Sequence, residues 1–296
     1  MRISHNISAM NTYRQYNTNT VNTNKSMEKL SSGFRINRAA DDAAGLSISE
    51  KMRSQIRGLT QATRNAQDGV SFIQTAEGAL NEVSDMLTRM KELAVQVQNG
   101  TYSDDDKANI GSEMFALGKA IGEIYQYTKF NGISVFGTQS VNAAGAMVAN
   151  NGGGTDTTLI QYGEDGGQTV TITAAVTAEL AVLTGKTAAV ADAANTTAAD
   201  KAADAALVLV GDVEDAITEV NTTRANYGAL QNQLEHASNN MATTKENLQA
   251  AESRVRDVDM AEEMMAYTKN NILLQAAQAM LAQANAQPQG VLQLLQ

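Results

Sequence analysis

Apolar residues recur at alternating spacings of three and four along most of this chain, and no other feature limits the fold so strongly. One stretch has them at positions 76, 80, 83, 87, 90, 94 and 97, and a longer stretch continues the spacing from Ala216 to Val258. Helices with this spacing pack lengthwise against other helices. We therefore predict a mainly α fold, built as a long antiparallel helical bundle or coiled coil.

Two breaks divide the helical pattern. Asn99-Gly100 ends one helix, and Ser103 then stands at the N-cap position of the next, followed by three aspartates in its first turn. This arrangement predicts that the chain doubles back as a helical hairpin. The second break, at residues 130–132, precedes a segment from 138 to 205 in which glycines punctuate runs of Thr alternating with Val and Ile. That texture predicts a small β-rich insertion.

The two ends of the chain have a different character. The first 40 residues are polar and weakly patterned, whereas no charged residue follows Lys269. Apolar residues occur on every side of a helix drawn through this tail, and Pro288 is expected to end its helical part. Such a helix is stable only when it is surrounded. Glutamines interrupt the tail, so no membrane span is predicted, and the first ten residues lack the apolar core of a cleavable signal.

Charge and residue counts argue against several classes of function. The net charge is −10 although residues 1–64 carry +6, and an acidic chain is a poor partner for nucleic acid. There is no cysteine, and His5 and His236 are far apart in sequence, so neither a zinc site nor a nucleophilic catalyst is indicated. The aspartates at 104–106 lack the glycine and glutamate that a calcium loop requires downstream. We predict no metal, no cofactor and no enzymatic activity.

Four stretches of the sequence resemble landmarks of one protein family, bacterial flagellin. They are LSSGFRINRAADDAAGLSISEKMRSQIRGL (30–59), RMKELAVQ (89–96), KFNGISVFG (129–137) and RDVDMAEEMMAYTKNNILLQAAQAMLAQANAQPQGVLQLLQ (256–296). They stand in the family's order, and the resemblance extends over residues 1–137 and 210–296 while leaving the insertion unmatched.

The resemblance implies a layered subunit. Terminal helices at 1–40 and 258–296 pair as an inner coiled-coil layer, which forms the filament core. An outer helical rod comprises 41–137 and 206–257, and the exposed insertion comprises 138–205. In this family both ends fold when a subunit joins the filament. This arrangement would explain a tail that is apolar on every side, because other copies of the chain would surround it.

The implied function is that of a self-assembling structural subunit of the extracellular flagellar filament, used for motility. The implied partners are further copies of the chain, the flagellar export apparatus with its chaperone, and the hook-associated and cap proteins. The alternative is a hook–filament junction protein, a relative with similar ends that forms one short ring. The residues expected to carry assembly are Leu234, Met241, Leu248, Val255, Ile272, Leu273, Leu281, Leu292 and Leu295.

The stretch RMKELAVQ implies one further partner. In this family the matching surface binds the flagellin-sensing Toll-like receptor of animals. Arg89, Leu93 and Glu113 match the positions that contact the receptor. A simpler interpretation is that Arg89 is a solvated charge on the face opposite the buried side of its helix, so the receptor role is an expectation carried by resemblance alone.

Overall fold

Helices make up most of the structure, a computed structural model that describes residues 6–136, 139–141, 147–149, 157–163, 167–173, 178–190, 206, 208 and 210–294. The helices are α1 (Ile7–Ser32), α2 (Ala43–Val97), α3 (Asp104–Tyr127), α4 (Ala178–Val190), α5 (Val210–Arg256) and α6 (Met260–Leu294). The mainly α prediction is confirmed.

The strands form three separate antiparallel hairpins. They are β1 (Lys129–Phe130) with β2 (Ile133–Ser134), β3 (Gln139–Val141) with β4 (Met147–Ala149), and β5 (Thr157–Gln161) with β6 (Thr169–Thr173). Asn131 and Gly132 have φ angles of 51° and 80°, the left-handed pair that a tight two-residue hairpin needs. The hairpins β3–β4 and β5–β6 lie within the insertion, and for them its predicted β-rich character is confirmed.

Contacts divide the chain into two compact units. The first unit contains residues 1–57 and 245–296, and the second contains residues 58–244. The first therefore holds α1, α6 and the adjoining ends of α2 and α5. The predicted inner and outer layers describe an assembled filament, so their boundaries stay a prediction.

The core of the second unit follows the predicted 3–4 spacing. Every residue of the series from Ala76 to Val97 is at most 2% exposed. Facing helices contribute further buried side chains, which are Met114, Ile121, Tyr125, Val213, Ala216, Val220, Tyr227 and Leu234. The rings of Tyr125 and Phe136 stack with centroids 4.5 Å apart. Large apolar side chains fill this unit, as in an ordinary globular core.

The start of α3 forms as the sequence predicts. The Ser103 hydroxyl accepts a hydrogen bond from the backbone N–H of Asp106 (3.3 Å), and the Asp106 carboxylate accepts one from the backbone N–H of Ser103 (3.3 Å). This reciprocal capping box satisfies two backbone donors that the helix cannot satisfy itself. The helix therefore begins at Asp104, directly after the predicted cap.

A short connection between α1 and α2 holds the first unit together. Gly33 ends α1 with a left-handed φ of 74°, which glycine adopts without steric cost. Its carbonyl accepts from the backbone N–H of Val258 (3.1 Å), while the backbone N–H of Arg35 donates to the carbonyl of Arg256 (2.7 Å). The Arg256 guanidinium lies 4.6 Å from the centre of the Phe34 ring and 2.9 Å from Glu50. Arg256, and then Arg53, lower the pKa of Glu50.

Two local predictions are wrong. The helix that carries the longest 3–4 series was predicted to continue to Val258. Instead α5 ends at Arg256, because residues 257 and 258 bond to the connection after α1. Pro288 was predicted to end the helical tail, yet α6 continues to Leu294. Proline removes one helical hydrogen bond, which leaves the carbonyl of Ala284 without its N–H donor. That carbonyl accepts from the side-chain amide of Asn6 (2.8 Å) instead.

Candidate assembly surface

The two terminal helices, α1 and α6, pack against each other through small and polar residues. On α1 the buried positions are Asn19, Thr23 and Ser26, at 6–7% exposure, and on α6 they are Ala277 and Ala284, each at 9%. We call these five residues the polar seam. The α1 positions are four and three residues apart, so they lie on one face of the helix. The spacing of a coiled coil is present here, but with polar side chains in place of apolar ones.

The side chains of the polar seam make one hydrogen bond within α1 and one across to α6. The Thr23 hydroxyl donates to the carbonyl of Asn19 one turn earlier (2.8 Å), and the Asn19 amide reaches across to the carbonyl of Leu273 at 3.4 Å. Lys29 and Glu263 form a loose ion pair at 3.8 Å. An ion pair at the surface contributes about 1 kcal/mol or less to stability. A hydrogen bond that replaces one to water contributes about as much. The seam therefore positions the two helices but stabilises their pairing only weakly.

The outward faces of the same helices carry the large apolar side chains. Eleven of them are at least 42% exposed, and we call this set the outer apolar surface: Ile7, Met10, Tyr13, Val21, Met27, Met260, Met264, Met265, Ile272, Leu273 and Met280. The second unit, although larger, exposes only five such side chains among its described residues. So many exposed large apolar side chains on two helices indicate an interaction site.

Seven of the nine predicted assembly residues fall into three groups. Ile272 and Leu273 belong to the outer apolar surface, and Leu248, Val255 and Leu281 are half-buried. Leu234 (0% exposed) and Met241 (6%) are already buried inside the second unit of the same chain, so any part they have in assembly is indirect. At Leu292 the structure describes only a helical backbone, and Leu295 lies outside the described residues.

Sequence reasoning missed most of the outer apolar surface. It selected no residue of α1, because the polar seam on that helix has no apolar periodicity. It also passed over the methionines of α6, which lie outside the leucine pattern. The signal was nevertheless present: Met264, Met265 and Met280 interrupt a segment where a solvated helix would carry charge.

A second candidate surface consists of charged residues on α2, α3 and α5 in the second unit. Arg89 donates from Nε (3.0 Å) and Nη2 (2.9 Å) to Glu113, and from Nη1 to Glu92 (3.0 Å). Lys91 lies 2.9 Å from Glu214. The hydrogen bonds that Arg89 donates to Glu113 and then to Glu92 raise the pKa of Arg89. We call these five residues the charged surface, and they bring together two of the three predicted receptor-contacting residues.

Leu93 differs from the other two predicted receptor-contacting residues. Its side chain is only 1% exposed, whereas the side chains of Arg89 and Glu113 are about half exposed, at 51% and 47%. Leu93 is therefore not accessible in the single chain, and its receptor-contacting role stays a prediction. Its position three residues after Met90, on the buried side of α2, explains the difference.

The part of the chain that the structure describes offers neither a membrane-spanning helix nor a metal site. No helix there is both long and apolar enough to cross a membrane. Nor do three or more His, Cys, Asp or Glu side chains come together there in a way that would hold a metal ion.

Comparison with known proteins gives a consistent result across both ends. The bacterial flagellin N-terminal helical region matches residues 3–143, and the bacterial flagellin C-terminal helical region matches residues 210–295. The flagellin of Bacillus subtilis (strain 168) is 48% identical over 309 residues, and that of Halalkalibacterium halodurans is 48% identical over 295 residues. Each alignment covers 100% of both chains.

Among solved structures, a putative flagellar hook-associated protein from Vibrio parahaemolyticus has a similar fold. Its TM-score is 0.56 at 17% sequence identity, and the match covers 73% of this chain and 100% of the other. At that identity the likeness establishes a shared fold and nothing about function.

Proposed function

The chain belongs to the bacterial flagellin family and is a structural subunit of the flagellar filament, and on that premise we propose that its outer apolar surface joins one copy to the next. The observation that carries this proposal is the distribution of polar and apolar residues on α1 and α6, which is the opposite of that in an ordinary helix pair. The buried positions of their mutual contact hold Asn, Thr, Ser and Ala, while eleven large apolar residues face outward. Only other copies of the chain, packed against those outward faces, would remove this apolar area from water.

Energetics support the proposal. Burying an exposed Met, Ile or Leu side chain stabilises by about 1.5–3 kcal/mol, and the outer apolar surface has eleven large apolar side chains. Ordering each residue of the backbone costs about 1–2 kcal/mol. The weak polar seam does not offset that cost for a pair of helices, so α1 and α6 would gain their stability when neighbouring copies cover them.

The predicted layers follow from this proposal. Residues 1–40 and 258–296 would form the inner layer, residues 41–137 and 206–257 the outer rod, and residues 138–205 the exposed insertion. Neighbouring copies would meet through different patches, since only such a contact continues into an open helical polymer. Ile272, Leu273 and Leu281 would lie in that contact, and Leu248 and Val255 would lie close to it.

A shortened chain tests the assembly proposal. A version that ends at Lys269 loses Ile272, Leu273 and Met280 but keeps the whole second unit. We expect the full chain to form long filaments in filament-promoting salt and the shortened chain to stay monomeric, as judged by sedimentation and electron microscopy. Equal polymerisation of the two chains would contradict the proposal.

We also propose that the chain is exported and acts outside the cell. Before assembly its outer apolar surface would be a liability for aggregation, which supports a need for an export chaperone. The export apparatus, the cap protein and the hook-associated proteins are proposed partners by family resemblance. Membership of a family of structural proteins likewise supports the proposal that the chain is not an enzyme.

The charged surface is proposed as the contact for the flagellin-sensing Toll-like receptor. Arg89 and Glu113 are the accessible residues. Leu93 is buried and would contribute indirectly, by holding α2 in position. Arg89→Ala should lower receptor affinity while filaments form normally, because the side chain is half exposed and contributes nothing to the core. Lys119→Ala, which removes an exposed lysine elsewhere on α3, is the matched control. Unchanged affinity of the Arg89 variant would contradict the receptor assignment.

A further inference from the structure

Asn6 makes two hydrogen bonds of different kinds with its two side-chain polar atoms. Its Oδ1 accepts from the backbone N–H of Ala9 (3.1 Å), which caps the N-terminus of α1. Its Nδ2 donates to the backbone carbonyl of Ala284 on α6 (2.8 Å), 278 residues away in sequence. The same side chain therefore starts one helix and bonds to the backbone of the other.

The carbonyl that Asn6 reaches is unusual within α6. In an α-helix the carbonyl of residue 284 would accept from the N–H of residue 288, and residue 288 is the single proline of the chain. Ala284 is only 9% exposed, so water has little access to its carbonyl. A buried acceptor without a donor is destabilising. The amide of Asn6 supplies the donor that Pro288 lacks.

This contact differs from the other cross-helix hydrogen bond of the polar seam. The Asn19 amide lies 3.4 Å from the carbonyl of Leu273, and that carbonyl also has a regular helical donor available four residues later. Asn19 could exchange its acceptor for a neighbouring carbonyl at little cost. Asn6 has no equivalent choice, because one proline creates one vacant carbonyl in the interior of the helix.

We propose that Asn6 is a positioning residue that fixes the register of α1 against α6 by pairing with the carbonyl freed by Pro288. The polar seam alone holds register weakly, since its side chains are small and its one hydrogen bond from a seam side chain to the other helix is long, at 3.4 Å. A slip of one turn would leave the Ala284 carbonyl without a donor. The correct register would in turn fix where the apolar residues of α1 stand along the pair relative to those of α6. The inference rests on the proposed role of the outer apolar surface in assembly.

A double-mutant cycle tests the inference in the full-length chain. Asn6→Ser keeps a good N-cap oxygen but ends too short to donate to Ala284. We expect the critical concentration for seeded filament growth to rise about tenfold, equivalent to about 1.4 kcal/mol. Pro288→Ala restores a backbone N–H at position 288, so the same Asn6→Ser change should cost less than about twofold in that background. Asn81→Ser, an exposed asparagine on α2 in the second unit, is the matched control and should change nothing.

Two results would overturn the inference. One is an Asn6→Ser variant that polymerises like the unmodified chain. The other is an equal cost of Asn6→Ser with and without Pro288→Ala, because capping alone would then explain the loss. Failure of the unmodified chain to grow from seeds would contradict the assembly proposal itself, and so the two failures are distinguishable.

Discussion

The two units of this chain place apolar residues in opposite ways. In the second unit Leu80, Val83 and Leu87 are fully buried, and charged side chains such as Arg89 and Glu113 lie on the outside. In the first unit Asn19 and Thr23 are buried between helices, while large side chains such as Met265 (68% exposed) face outward. One unit completes its hydrophobic core within a single copy. The other leaves its large apolar residues exposed, and we propose that other copies bury them.

This difference separates stability of the subunit from stability of the polymer. A substitution in the second unit should act on the free energy of unfolding of a single chain. A substitution on the outer apolar surface should act on assembly and leave the single chain unchanged. Three predictions test this separation, in decreasing order of expected effect.

The largest effect is expected from Leu234→Asp. The side chain is 0% exposed and lies against α2 near Gly69, so the change buries an unpaired carboxylate. We expect the free energy of unfolding of the second unit to fall by about 4 kcal/mol, measured by chemical denaturation of the monomeric chain. Gln233→Asp, at the exposed neighbouring position, should be close to neutral. A fully stable Leu234→Asp monomer that merely fails to polymerise would contradict the assignment of Leu234 to the core of the single chain.

The second prediction concerns alkaline pH. Burial raises the pKa of Tyr227 from 10.0 to about 12. Below pH 10 the phenol is neutral in both states and its contribution is fully present. Above pH 10 only the unfolded chain ionises, so the free energy of unfolding should fall by about 3 kcal/mol as the pH rises to about 12.

Tyr227→Phe should remove this part of the alkaline loss. The measurement is urea denaturation of the monomer at pH 8, 10 and 11, with Tyr127→Phe, at an exposed position (68%), as the control. Identical pH profiles for the Tyr227 variant and the unmodified chain would show that the phenol is accessible to water.

The smallest effect is expected in the polar seam. The Thr23 hydroxyl bonds only within its own helix, so Thr23→Val should keep the shape of the seam and add apolar contact with α6. We expect the critical concentration for filament growth to fall about twofold, and Thr18→Val, at an exposed position on α1, to change it less. A large increase for Thr23→Val would mean that the hydroxyl is required across the seam.

Much of the second unit was predictable from sequence. The spacing of the series from Ala76 to Val97 predicts that it is buried, because apolar residues at coiled-coil spacing normally face another helix. Ser103 and Asp106 predicted the start of α3 for a similar reason, since capping depends on residues that are neighbours in sequence. The burial of Leu93 could not be predicted in the same way from the family resemblance, which assigns a role to a position without reporting its exposure.

The first unit was less predictable because polar residues, rather than apolar ones, occupy the most buried positions between its terminal helices. A search for apolar periodicity cannot find a helix interface made of Asn19, Thr23 and Ser26. The continuation of α6 past Pro288 was also hidden, because the compensating donor, Asn6, lies at the other end of the chain. Exposed methionines and a tail without charge were visible in the sequence, but their use depends on other copies of the chain.

One pair of substitutions tests the separation of the two units most directly. Ile272 on α6 and Leu159 on β5 are both 61% exposed, so an aspartate at either position meets water equally well in the single chain. We predict that Ile272→Asp monomers unfold like the unmodified chain but form no filaments in seeded growth, whereas Leu159→Asp monomers assemble normally. Normal filaments from the Ile272→Asp chain would contradict the outer apolar surface as the contact between copies.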